Sequence, residues 1–275
     1  MILPNQIHKT NPYIKKYWVI DNPSSAIEKV LNPMISDAHL EILFIEGQGI
    51  HFTHRDQTYT FTAGIYFSGH VESLATLILL PETKIHFIKL HHWASVLVTK
   101  FSFSALQNQI VSLADLNASL YKKLRSFDPS GEMSSIICLL LQELDASAIG
   151  NTNFHIIKNA CQKLSLQHVE FKTLKQEILV AANISDRTLE TKFKNHVGLT
   201  PKQFSMTLKI RNAAEAILYN PSQESLANVA FDNGFYDQSH FSRSFKSLFG
   251  KSPRNINFSK FFIPNSAEDF RYYTI

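Results

Sequence analysis

The 275 residues include only two cysteines and nine glycines, and 18% of the chain is Asp, Glu, Lys or Arg. Two cysteines, Cys138 and Cys161, permit one bridge at most. That excludes a disulfide scaffold and a cysteine-rich zinc site, and both read as buried thiols. No run of about 18 uncharged apolar residues occurs, so no membrane span is expected. The first residues lack the basic-then-apolar layout of an export signal, and a cytoplasmic protein is the expectation. A glycine-rich phosphate loop, a nucleophile elbow, a CxxC pair and a supported acid pair are missing too. The chain is therefore read as no enzyme and as needing no cofactor.

What is present suffices for a sizeable core: 44% of residues are hydrophobic, with 21 Phe and nine Tyr, and the length favours two domains. The net charge of +4 is unevenly spread. Lys and Arg number 11 against 13 Asp and Glu over 1–157, but 16 against 10 over 158–275. The back half has the balance to meet a polyanion and the front half does not.

From the start of the chain, Pro4, Pro12 and Pro23 bracket Tyr13, Tyr17 and Trp18, which marks KYWVI as a strand between turns. Residues 39–105 then give short β-branched or aromatic runs, HLEILFI, YTFTAGIYFSG, SLATLILL, KIHFIKL and WASVLV, broken by Gly47, Gly49, Gly64, Gly69 and Pro81. Short strands without intervening helices predict an antiparallel, barrel-like β domain rather than a doubly wound nucleotide fold. Residues 105–125 read as one helix or two short helical pieces, and Asp128 to Gly131 as a break. A helix from Met133 to Leu144 carries apolar residues on more than one face, which suits packing within the domain or against a second subunit. Asp145 to Asn153 reads as a linker, and a helix from Asn153 to Leu164 follows.

Two stretches then repeat one pattern. In 223–253, Leu226, Val229 and Ala230 form an apolar helical face, Asn233-Gly234 turns the chain, and Phe241, Phe245, Leu248 and Phe249 restore the helical period before Gly250 ends it. Ala230 is the small residue that two steeply crossing helices need at their contact. In 169–198, Asn183-Ile184 forms the turn, Ser185 is the expected N-cap, and Leu189, Phe193 and Val197 point inward. A helix from Pro201 to about Tyr219, stopped by Asn220-Pro221, joins the units as a rod of roughly 27 Å. That length would set two reading helices a little under one duplex turn apart, about 34 Å.

At these residues the chain resembles the AraC/XylS-type bacterial transcription regulators. GF at Gly234, the run ending in FSRSFK and the closing FGKSP carry the likeness, with SDRTLETKFK and GLTPKQF in the first unit. It covers roughly the last hundred residues. Leu179 and Ala182 exchange the family's usual small and larger positions, and Thr191 stands where an outward Arg is common. The front half resembles the all-β sensor domain of one uncharacterised branch, through the YW near its start and AGIYFSGH. The resemblance implies a regulator that contacts RNA polymerase, with a sensor in front; no residue decides activation against repression.

The expected division is 1–148 for a mainly β regulatory domain with two helices near the linker, 149–258 for an all-α double helix-turn-helix domain, and 259–275 for an aromatic tail. In each unit the second helix would lie in the major groove. Gln238, Ser239, Ser242 and Arg243 are the outward base-contact candidates of the second unit, and Asp186, Arg187, Glu190 and Thr191 of the first. Lys192, Lys194, Lys202, Lys246, Lys251, Arg254 and His240 are the phosphate candidates.

In front, His51 and His54 with His39, His70, His86, His91 and His92 and nearby Glu41, Glu46, Glu72 and Glu82 raise a metal reading. A strand would send His51 and His54 to opposite faces, so no metal is expected. Trp18, Tyr66, Phe67, His70, His86 and Trp93 are candidates to line a small-molecule pocket, or else fill a solid core. The leading reading is a DNA-binding regulator of duplex DNA, governed by a small effector or partner, as a monomer or homodimer. Its competitor is a β-barrel enzyme that binds ligand or metal, with a helical interaction domain behind.

Overall fold

The computed structural model describes residues 11–31, 39–71, 75–126, 129–166, 169–219, 225–256 and 271–273, with only the backbone given for 129–132, 218–219 and 271–273. Pro4, Glu72, Asp128, Asn220-Pro221 and Phe261, Phe262 and Phe270 of the tail lie outside these residues.

Among the described residues ten strands form two antiparallel sheets: β1 (Ile14–Asn22), β2 (Lys29–Val30), β3 (Leu40–Glu46), β4 (Ile50–His54), β5 (Gln57–Phe61), β6 (Gly64–Ser68), β7 (Ala75–Leu79), β8 (Thr83–Leu90), β9 (Ile110–Ser112) and β10 (Arg271–Tyr273). One sheet has the order β10-β1-β8-β3-β6-β9 and the other β2-β7-β4-β5. Both are open, which corrects the barrel-like expectation: among the described residues the strands form two separate sheets and no closed ring.

The two-residue period of a strand explains the layering. Trp18 and Ile20, Leu43 and Ile45, and Ile85 and Phe87 face one way and meet Ile50, Phe52, Leu77 and Leu79 of the smaller sheet. Their alternates, Tyr17, Ile42, Phe44, Ile88 and Leu90, face the other way, into a core shared with helices. The larger sheet is thus covered on both faces, and β3 is buried along nearly its whole length.

Among the described residues ten α-helices follow: α1 (Ser95–Val98), α2 (Leu113–Leu116), α3 (Ala118–Leu124), α4 (Pro129–Ala148), α5 (Thr152–Leu164), α6 (Phe171–Ala182), α7 (Asp186–His196), α8 (Pro201–Tyr219), α9 (Leu226–Asp232) and α10 (Gln238–Phe249). WASVLV, read as a strand, holds the short helix α1 instead, because Ser95, Leu97 and Val98 are all buried at a domain junction and, among the described residues, no strand pairs with them. Residues 105–125 hold two short helices preceded by the unforeseen strand β9, which closes one edge of the larger sheet. The aromatic tail contributes β10, antiparallel to β1, with Tyr272 opposite Trp18. Among the described residues no single helix is long and apolar enough to cross a membrane.

Helix α4 runs four residues past the expected end, so the linker shrinks to a turn at Ile149-Gly150, with Gly150 at φ +70°. The chain bends by 107° there. The broad apolar surface of α4 is spent within the chain, since Ile136, Ile137, Leu140 and Leu144 are buried and Leu139 and Leu141 pack against the same core. That core continues through Phe154, Ile157 and Cys161 of α5 to Leu189 and Phe193 of α7 and Phe204 of α8. Burial pushes the Cys161 thiol well above its ordinary pKa, so it behaves as an apolar side chain.

Polar contacts reinforce this junction. The Tyr13 hydroxyl donates to Asp145 Oδ1 at 2.6 Å, and burial followed by that carboxylate raises its pKa to about 12. Ser95 donates to the carbonyl of His196, and Ser102 donates to Asn195 Oδ1 at 3.1 Å. Burial, with Lys15 nearby, lowers the pKa of His91 to about 4; burial and Lys192 lower that of His196. Such histidines stay neutral when folded but take a proton in the unfolded chain below its ordinary pKa of about 6.5. The unfolded state then binds more protons, so stability falls as pH drops from 6.5 towards 4. We expect the urea midpoint to decline over that interval, and more steeply than in His91→Gln; equal slopes in the two proteins would refute the assignment.

Candidate nucleic-acid interface

The two helix pairs α6–α7 and α9–α10 close their turns by the same hydrogen bonds. Ile184 N–H donates to Leu179 C=O at 3.1 Å and Asn183 N–H to Val180 C=O at 3.2 Å; in the second pair Phe235 donates to Ala230 and Gly234 to Phe231, both at 2.9 Å. This closure needs a left-handed residue, supplied by Asn183 at φ +51° and Gly234 at φ +71°. One extra residue follows the second turn, so the reading helices then correspond at a spacing of 52: Leu189 with Phe241, Phe193 with Phe245, Val197 with Phe249. All six are buried.

The second helix of each pair is capped by an oxygen side chain. Ser185 Oγ accepts from Thr188 N–H at 3.2 Å, as its position suggested. Asp237 Oδ1 accepts from His240 N–H at 2.6 Å, a cap that an Asp directly before QSHF could have revealed. Asp237→Ala should destabilise the second unit by about 1 kcal/mol, read as faster amide exchange in α10 with α7 unchanged.

On α10, Ser239 and Arg243 are exposed and point away from Phe241 and Phe245, whereas Gln238 and Ser242 are half-buried beside that inward line. Lys246, Lys251 and Arg254 are exposed near its C-terminal end. Among the described residues Arg243 and Lys246 enter no ion pair. The His240 ring lies edge-on to Phe235 at 5.6 Å, which ties it to the turn.

The first unit is more constrained. Arg187, Glu190 and Lys194 are exposed, but Asp186 pairs with Lys175 of α6 at 2.6 Å. The Thr191 hydroxyl donates back to the Arg187 carbonyl at 2.9 Å, and Lys192 donates to Asn153 Oδ1 of α5. Asp186 and Lys192 thus also brace α7. Lys202 sits apart, in a groove beside His70.

Sequence reasoning missed Lys209. From the middle of α8 its ammonium donates to the Gly234 carbonyl at 3.0 Å, and burial lowers its pKa. It ties the connecting helix to the second turn across 25 residues, a contact no local pattern signals.

The pocket candidates are divided between the two core layers, with Trp18 and Tyr66 in one and Phe67 and Trp93 in the other. Trp18 stacks on Phe87 at 4.9 Å between the sheets, and Tyr66 meets Phe61 edge-on at 5.3 Å. Phe67 packs on Phe103 at 5.6 Å in the other core layer. His86 lies between the Tyr17 hydroxyl at 2.8 Å and Glu46 at 2.6 Å, with burial lowering its pKa. Trp93 Nε1 donates to the Pro12 carbonyl at 2.5 Å, and His70 lines the groove with Lys202. His51 and His54 take opposite faces of β4, and among the described residues no three His, Cys, Asp or Glu side chains gather as a metal site.

A family model described as a helix-turn-helix domain matches residues 179–257. The HTH-type transcriptional activator RhaS of Escherichia fergusonii is 40% identical over 73 residues, 26% of each chain. The probable transcriptional regulator LumQ of Photobacterium leiognathi is 28% identical over 160 residues, 58% of this chain and 62% of that one. The chain therefore spans about a quarter of the first relative's length and three-fifths of the second's. Among solved structures, apo ToxT of Vibrio cholerae is 13% identical, with 90% of this chain and 97% of that one covered at a TM-score of 0.41.

Proposed function

We propose, from the premise that the C-terminal helices form an AraC/XylS-type helix-turn-helix domain, that the protein is a sequence-specific DNA-binding transcription regulator whose α7 and α10 read successive major-groove segments. The observation that carries this is the repetition itself. Two helix pairs share one turn closure and one inward set, and present polar outward faces on helices joined by the 19 residues of α8.

The roles divide by position. Arg243 is placed to donate bidentately to guanine, and Gln238 both to donate to and accept from adenine. Arg187 and Glu190 are the base contacts of the first unit. Lys194, Lys246, Lys251 and Arg254 hold phosphates and carry no sequence information. On this reading the front domain transmits a small-molecule or partner signal in the cytoplasm, and the DNA-bound protein contacts RNA polymerase, as the family resemblance implies. The alternative was a β-barrel enzyme, and among the described residues the strands form two separate sheets.

Selection of duplexes from a randomised pool by the full chain, near 0.15 M salt, tests the reading. Two short recurring elements about one helical turn apart are the expected result. Enrichment of a single element, or only salt-sensitive binding without sequence preference, would contradict it.

A further inference from the structure

Among the described residues the helices behind the front domain belong to two hydrophobic cores. Phe204, near the start of α8, belongs to the core that runs from the larger sheet through α7. Ile210, Ala213 and Ala214, further along the same helix, belong to a separate core with Val229, Ala230, Phe235, Phe241, Phe245 and Phe249. The first helix-turn-helix unit is thus built into the front domain, and the second stands on its own core. The division runs along α8, where Met206 packs on the second core and Leu208, two residues later, on the first.

A groove of about 360 Å³ lies across that division. His70 of the front domain and Leu199, Thr200, Lys202 and Gln203 line one side, Ile210 and Leu248 of the second core the other, with Met206 and Thr207 between. The volume is in the range of small-molecule sites. Lys202 supplies a positive charge, and no carboxylate is among the lining residues. Gln203 Oε1 already accepts from Thr200 N–H at 2.9 Å, so what its side chain offers the groove is the NH₂ donor. The Ser247 hydroxyl donates to the Ser244 carbonyl at 2.8 Å, leaving its own oxygen as an acceptor. The exposed Lys202 charge and the Gln203 donor beside half-buried Met206 and Leu248 suit an anionic head on an apolar body, with the Ser247 oxygen available to a donor on the ligand.

We propose that this groove binds a small organic anion with an apolar body, and that its occupant sets the position of the second helix-turn-helix unit against the first. The proposal deepens, and rests on, the reading of the two units as one regulated pair. A ligand touching both cores stabilises one relative arrangement of them by its differential affinity.

The test uses the full chain and two dyes of similar apolar body, anionic 8-anilinonaphthalene-1-sulfonate and neutral N-phenyl-1-naphthylamine, followed by fluorescence. Lys202→Gln should weaken the anionic dye about tenfold, the worth of one charge-assisted contact, and leave the neutral dye within about twofold. Met206→Trp, which fills the groove, should weaken both, with circular dichroism confirming that each variant is folded. At about ten times its dissociation constant the anionic dye should slow amide exchange in residues 206–210 and 245–249 by about tenfold. Unchanged anionic-dye binding in both variants overturns the site. Equal loss of both dyes in Lys202→Gln overturns the ligand class, and unchanged exchange in 245–249 overturns the coupling. None of these readouts contains DNA, so a failed duplex selection would be a separate result.

Discussion

Phe245→Ala should unfold the second helix-turn-helix unit while the front domain and first unit keep their unfolding transition. Phe245 is fully buried, stacked on Phe249 at 4.1 Å and edge-on to Phe241 at 5.6 Å. Removing such a ring costs about 3–5 kcal/mol, as lost transfer energy plus the cavity left behind. A whole domain is stable by only about 5–15 kcal/mol, and the second core is small, so the loss is comparable to everything holding that unit. Selective amide exchange is the measurement. Fast exchange in α9, α10 and the second half of α8, with α7 still protected, is the expected pattern. Loss of protection in α7 to the same degree would mean that the two cores unfold as one, against the division within α8.

Arg243→Ala should lower affinity for the selected duplex by about 1–3 kcal/mol, a factor of roughly 5 to 150, and relax the preference at one base position. The residue lies on the outward face of α10, exposed and outside any ion pair among the described residues, so truncation should leave the fold intact. Lys246→Ala, one turn on, provides the contrast. It should weaken binding to all duplexes alike and reduce the salt dependence by about one phosphate contact. If Arg243→Ala reproduced the uniform loss of Lys246→Ala, Arg243 would be a phosphate contact and the orientation of α10 in the groove would have to change. The corresponding residue of the first unit is Thr191, whose hydroxyl donates to its own helix, so Thr191→Ala should alter base preference far less.

How far the fold was legible follows from the range of the interactions. The helix-turn-helix repeat was readable because its signals are local: Ser185 before α7, Asn183 and Gly234 at the turns, and apolar residues at helical spacing all act within a few residues. Strands β1, β3, β7 and β8 were readable for the same reason, whereas β2 and β4 carried no such run and β5 and β6 fell within a single one. WASVLV carries strand-like composition, yet Ser95 hydrogen-bonds to α7 across 101 residues, and burial at that junction favours a helix. Sheet closure was equally out of reach, since alternation states which residues face a core but not whether the last strand meets the first. Within the site, outward and inward faces were legible. That Asp186 and Lys192 are engaged by Lys175 and Asn153 was not, because both partners come from other helices.

By itself the sequence determined the two reading units, their inward residues, the rod between them and the basic balance of the back half, all properties of helical period, capping and charge. Only the tertiary structure decided that the first unit shares its core with the front domain, that the second does not, and that Lys202 faces a groove with His70. Those outcomes depend on which apolar surfaces find each other. Hydrophobic burial is non-directional and scales with area, so local pattern marks the surfaces to be covered without naming their partners.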